Sequence, residues 1–192
     1  MNNVLTILFL LIAGNAFGKT IKEGDTVLLR KGVYKECNIV IDKPLYLQGE
    51  GWPVLDAEFK NEILKLTGKD IVVRSIHFAN AGYSSMNDYA AIKVIDATNI
   101  LIENNAISNA SFAIHFANST YSTIRNNIIA GTNKSEHSSG NGIHLWKCDG
   151  MTVENNFIRG HRDGIYFEFV TGSTIRGNTS EMNVRYGLHF MF

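Results

Sequence analysis

The sequence predicts an all-β fold: a right-handed parallel β-helix with three short strands in each coil of about 22 residues. Three observations carry that expectation. First, Gly-Ile-His-Leu (142–145) followed by Thr-Val-Glu-Asn-Asn (152–156) restarts as Gly-Ile-Tyr-Phe (164–167) and Thr-Ile-Arg-Gly-Asn (174–178), with 22 residues from Ile143 to Ile165. Second, the repeated runs are rich in β-branched residues and alternate apolar with polar, the strand period rather than the helical one. Third, an asparagine recurs at Asn105, Asn127, Asn156 and Asn178. One such coil cannot bury its own apolar side, but a stack of coils can.

The elements follow from the anchors. The opening strand of each coil is anchored by Ile92, Ile114, Ile143, Ile165 and Leu188, spaced 22, 29, 22 and 23 residues apart. The second strand is anchored by Val73, Ile102, Ile124, Val153 and Ile175, and the third by Phe78, Ile107, Ile129 and Ile158. Alternation points Ile143 and Leu145 inward, and His144 and Trp146 outward. Stacked strands about 4.8 Å apart would make the four coils from Ile92 to Leu188 roughly 19 Å tall. Right-handedness follows the general bias of parallel crossovers. The asparagines sit three residues past each second-strand anchor. They are read as corner residues that tolerate a left-handed backbone and hydrogen-bond down a column of their own kind.

Residues 1–18 carry no charged side chain, with an apolar run from Val4 to Ala13 and a small-x-small ending at Ala16-Phe-Gly18. They read as a secretory signal peptide cut before Lys19, too short an apolar run for a spanning helix. Residues 19–62 read as an N-terminal cap and first rungs, and 63–192 as regular coils. Two loops, at 80–89 and 130–139, each add about seven residues at one corner and should overhang the same side. The hydrophobic strand Leu188-His-Phe-Met-Phe192 has no capping sequence after it. The expectation is therefore a chain truncated at its C-terminus. Cys37 and Cys148 should lie several rungs apart and remain unpaired. The 18 basic and 18 acidic side chains cancel, which argues against nucleic acid or a membrane surface as partner.

The outward positions of the opening strand form two columns. One reads Lys93, His115, His144, Tyr166, His189, and the other Ala117, Trp146, Glu168, Met191. His115, His144, His189 and Met191 are the candidate metal ligands, because imidazole and thioether suit a soft to borderline ion. Partner docking and a plain wall are the competing readings of the same columns. Trp146, His161, Arg162, Asp163, Tyr166, Glu168 and Arg185 are the candidate interaction surface. Arg162 and Arg185 occupy equivalent corner positions, so carboxylates or an anion should sit between them, with Asp163 and Glu168 the nearby candidates. His137, on the second long loop, could fold over this face, and His77 reads as a surface residue. No catalytic residue is assigned. Carbohydrate hydrolysis or elimination needs convergent carboxylates, and this face offers only Asp163 and Glu168.

Three segments then carry a specific resemblance: Asn-Gly-Ile-His-Leu-Trp (141–146), Gly-His-Arg-Asp-Gly-Ile-Tyr-Phe-Glu-Phe-Val (160–170) and Asn-Val-Arg-Tyr-Gly-Leu-His-Phe-Met-Phe (183–192). They resemble the core of the periplasmic copper-binding accessory proteins of nitrous oxide reductase maturation, the NosD family. That family falls within the wider pectin-lyase-like group of carbohydrate-binding proteins and sugar hydrolases. Gly24-Asp-Thr-Val through Leu55-Asp56 is similar to the family's opening. The resemblance implies a non-enzymatic periplasmic protein working with an inner-membrane ABC transporter. Its role would be assembly of the copper–sulfur cluster of nitrous oxide reductase, with copper the ligand to consider. His144, His161, Glu168, His189 and Met191 fall within the matching segments. The alternative is an extracellular polysaccharide-binding protein, hydrolase or lyase of the same architecture.

Overall fold

A computed structural model of the chain describes residues 4–7, 21–84, 86–132 and 139–192. Among these, twenty strands run from β1 (Val4–Ile7) to β20 (Tyr186–Met191), and every strand pair is parallel. They stack in three columns. The first holds β4 (Ile39–Ile41), the start of β7 (Leu64–Arg74), the start of β9 (Ala90–Glu103), β11 (Phe112–Ala117), β14 (Ile143–Trp146), β17 (Asp163–Glu168) and β20. The second holds β2 (Asp25–Arg30), β5 (Leu45–Glu50), the ends of β7 and β9, β12 (Thr123–Arg125), β15 (Thr152–Glu154) and β18 (Thr174–Arg176), with β1 beside β2. The third is a seven-stranded sheet of β3 (Val33–Tyr34), β6 (Val54–Asp56), β8 (His77–Ala79), β10 (Ala106–Ser108), β13 (Ile128–Ala130), β16 (Phe157–Arg159) and β19 (Thr179–Glu181). The chain is a right-handed parallel β-helix.

The anchors meet as the 22- and 29-residue spacings require. Ile92, Ile114, Ile143, Ile165 and Leu188 pair rung on rung, as do Val73, Ile102, Ile124, Val153 and Ile175. From Ile92 to Ile165 the opening anchors are buried, and one apolar core runs from Val27 to Phe167. A buried Ile contributes about 1.5–3 kcal/mol from apolar burial. The anchors Ile92, Ile114, Ile143, Ile165 and Leu188 each follow a Gly or Ala, and at Gly142 and Gly164 the backbone passes close to the next rung. A Cβ on Gly142 would stand 2.6 Å from the Gly164 carbonyl oxygen. The last strand's inward residues Leu188 and Phe190 are 44% and 62% exposed, the open apolar edge expected from the sequence.

Residues 19–62, read as cap and first rungs, hold paired rungs from β2 onward. Two details differ from the sequence reading. In the two rungs of β7 and β9 the first and second strands fuse into runs of 11 and 14 residues. There the corner is shallow enough for hydrogen bonding to continue through it. The two properties assigned to the ladder asparagine are also split between neighbours. The left-handed φ falls one residue earlier, on Asn104, Asn126, Asn155 and Gly177. The ladder residue itself then turns inward. Asn127 Oδ1 accepts from the Asn105 backbone N–H and Nδ2, and Asn127 Nδ2 donates to Ile102 O and Asn156 Oδ1.

Of the two long loops, the first begins by packing down. Ala81 is buried and Gly82 N–H donates to Asn61 O at 2.8 Å. Residues 133–138, with His137, lie outside the described residues, as does most of the expected signal peptide. Both cysteines are free, Cys148 buried and Cys37 half-buried.

Candidate functional site

The first column's outer side builds the expected stack in register: Lys93, His115, His144, Tyr166, His189. The His115 and His144 rings are 4.6 Å apart and nearly parallel. Tyr166 meets His144 edge-on at 4.8 Å and His189 edge-on at 4.9 Å. Phe112, at the start of β11, lies 5.6 Å from both the His115 and His144 rings. Outward therefore does not mean solvent. His115 and Tyr166 are each only 7% exposed, because the rings cover one another and Phe112 covers the imidazoles.

Burial sets the charge state. It pushes His115 down to about 4, with the Asp88 carboxylate partly opposing and Lys93 reinforcing. It pushes His144 down to about 3, helped by His115 and Arg162 and opposed by Asp163. Both imidazoles are neutral at physiological pH. His144 Nδ1 lies 3.3 Å from Asn141 Nδ2, while His144 Nε2 and His115 Nδ1 are buried without a partner.

The second outward column, Ala117, Trp146, Glu168, Met191, is also in register. Tyr166 cross-links the two columns. Its hydroxyl lies 3.2 Å from Glu168 Oε2 and 2.8 Å from Met191 Sδ. The Lys147 ammonium sits 4.3 Å from the Trp146 ring centre, a cation–π contact.

The corner cluster is a buried ion-pair hub rather than a surface. Asp163 is 0% exposed. Arg185 from the next rung grips it with two bonds, Nε to Oδ1 at 3.1 Å and Nη2 to Oδ2 at 2.6 Å. His189 Nδ1 is 3.3 Å from Oδ2 and Arg162 Nε 3.8 Å. Burial alone would raise the Asp163 carboxyl, but the bonds from Arg185 and His189 hold it below its usual value. The carboxylate expected between the two guanidiniums is thus Asp163. Glu168 instead faces Tyr166. His161 is 1% exposed, its Nδ1 3.2 Å from Ser111 O, and burial pushes it down to about 4. It cannot belong to an exposed surface as expected, because its corner turns the ring under the adjoining rungs. Asp163 and Tyr166 are withdrawn from that surface for the same reason. Trp146, Arg162, Glu168 and Arg185 remain within reach of solvent.

The four candidate metal ligands are brought into columns but not to one point. His115 and His144 stack face to face, so their lone pairs, which lie in the ring planes, do not converge. Tyr166 intervenes before His189, and Met191 Sδ is engaged by the Tyr166 hydroxyl. Among the described residues no group of three or more His, Cys, Asp or Glu side chains is placed to hold a metal ion.

A feature the sequence reading missed lies on the second column. The position after each anchor reads Gln48, Arg74, Glu103, Arg125, Glu154, Arg176 in register. Glu103 binds Arg125 at 2.7 Å and Arg74 at 3.8 Å. Glu154 binds Arg176 at 2.7 Å and Arg125 at 4.0 Å. Reading one residue past the anchors would have shown this alternation.

The family model for the right handed beta helix region matches residues 63–192. The chain belongs to the right-handed β-helix family. A protein of Pseudomonas aeruginosa, assigned as the ABC transporter binding protein NosD, is 32% identical over 129 residues. That match takes in 66% of this chain and 30% of the relative, so the chain spans under a third of that protein's length. Two solved β-helix structures are also similar. A Parabacteroides merdae protein assigned as a glycosyl hydrolase has a TM-score of 0.59 at 16% identity, covering 88% of this chain and 79% of its own. An alginate lyase from Paenibacillus sp. has a TM-score of 0.54 at 18% identity, covering 82% and 69%. At those identities the likeness shows the fold alone.

Proposed function

We propose that this chain is a non-enzymatic, periplasmic accessory protein that works with an ABC transporter during assembly of the copper–sulfur cluster of nitrous oxide reductase. The observation that carries this reading is the 32% identity over 129 residues to the NosD protein. The wall chemistry supports a binding role over hydrolysis or elimination. Glu103 and Glu154 are each occupied by arginine partners, and Asp163, gripped by Arg185 and held below its usual value, is a poor proton acceptor. The stack offers a face on which Trp146, Lys147, Glu168 and Met191 remain accessible to a client, with the neutral His115 and His144 rings packed beside them. Copper, if carried, is handed across this face rather than stored in a chelate of the four residues His115, His144, His189 and Met191.

Deleting the gene in its host tests the reading. Nitrous oxide reductase should then accumulate without its cluster's visible absorption and without activity, and a copy of the gene should restore both. A fully loaded, active reductase in the deletion strain would overturn it. Turnover of alginate, pectin or a similar polymer by the purified protein would favour the polysaccharide-active alternative.

A further inference from the structure

The corner between the first and second columns carries side chains that its backbone does not suit. The residues that leave the first column take a left-handed φ: Asp96 (52°), Asn118 (50°), Lys147 (51°) and Phe169 (53°). Three residues further on, Asn99 (55°), Tyr121 (49°), Gly150 (65°) and Gly172 (56°) do the same. Successive rungs join these positions. Asn118 N–H donates to Trp146 O, Lys147 N–H to Glu168 O, and Tyr121 N–H to Asp149 O. Asp, Asn and Gly are the residues that visit this conformation readily. A tyrosine, lysine or phenylalanine there is an outlier. Among the described residues, only this edge carries such outliers on three successive rungs.

Burial does not offset that strain, since Tyr121 is 68% and Phe169 48% exposed. Strain kept at exposed positions marks a functional segment. The Tyr121 ring leans onto the next rung, where a Cβ on Gly150 would stand 2.7 Å from its Cδ1. That rung also holds Trp146, with the Lys147 ammonium 4.3 Å from its ring centre. Asp149 Oδ1 accepts from the Thr171 hydroxyl at 2.6 Å. The charges along the edge are thus engaged within the chain. What projects is a convex row of aromatic rings, of the residue types that anchor protein interfaces. Such a row suits an apolar cleft, which would otherwise have to desolvate an unpaired charge. We infer that Tyr121, Trp146 and Phe169 form a docking ridge that seats in an apolar cleft of the client protein. The inference rests on the accessory role proposed above, and it extends the contact from the outward columns onto the corner beside them.

Asparagine suits the backbone at these corners, so stability and docking should part company on substitution. Phe169→Asn should raise the melting temperature of the full chain by about 2–4 °C. The same variant should weaken binding to copper-free nitrous oxide reductase, followed by biolayer interferometry, by about tenfold or more. Tyr121→Asn should weaken that binding similarly, whereas Ile128→Asn, on the third column, should leave it unchanged. A lower melting temperature in Phe169→Asn, no binding by the wild type, or binding indifferent to both corner substitutions would each overturn the inference. So would binding to phosphatidylglycerol vesicles in place of the reductase, lost in the same variants, which would make the ridge a membrane contact. The deletion strain keeps the two readings apart. An empty reductase there, with no binding here, removes the ridge and leaves the accessory role standing.

Discussion

Asp163 is the charged side chain with most at stake. Fully buried, it faces Arg185, Arg162 and His189. Asp163→Asn would leave two guanidiniums facing one another with a neutral amide, and removing one partner of a buried pair costs about 3–5 kcal/mol. The variant should lower the urea midpoint, and hydrogen exchange should locate the loosening in β17 and β20. The buried imidazoles act at a different pH. His115, His144 and His161 are held to about 4, 3 and 4, below the unfolded value of about 6.5. Their neutral forms are native, so stability is insensitive to pH above about 6.5 and falls as the unfolded state gains protons first. Each should remove about 1 kcal/mol by pH 5.5. Asp163, whose value is lowered, acts the other way round. Its contribution is present above about pH 4 and is lost only below it. Melting temperatures of the wild type should hold level from pH 7.5 to about 6.5 and fall from there to pH 5, and His115→Phe should flatten part of that fall.

Two ladders tie the rungs together, and they differ in worth. The asparagine ladder is buried. Asn127→Ala would strand the Asn105 N–H and the Ile102 carbonyl, so a loss of about 3 kcal/mol is expected in equilibrium unfolding. The Arg/Glu ladder ends in solvent, where the Arg176 side chain is 71% exposed. Arg176→Gln should cost about 1 kcal/mol or less, and that difference should vanish in high salt. The first ladder was legible in the sequence because one residue type recurs at one offset. The second was obscured because its residues alternate, and alternation shows only once the coils are aligned. The left-handed corner residue was placed one position late, since Asn-Asn pairs leave open which asparagine turns and which bonds.

For the whole molecule, the period and the inward anchors were enough to give the architecture and the stacking of His115, His144, Tyr166 and His189. What they could not give was depth. Alternation says which way a side chain leaves the sheet, not what covers it. The burial of His115, Tyr166, Asp163 and His161 depends on Phe112, on corner segments and on neighbouring rungs. Those contacts join distant parts of the chain without a periodic signature. His161, Asp163 and Tyr166, expected on the surface, therefore became interior, and two of the expected metal ligands, His115 and His144, became a packed, neutral pair.

That pair is the feature on which the reading of the site depends, and nitrogen-detected NMR of the imidazoles measures it directly. The account predicts that His115 and His144 stay neutral from pH 7.5 down to about 5, each locked in one tautomer, with ring protons shifted by the adjoining aromatic faces. Both rings titrating near 6.5 with averaged tautomers would contradict it.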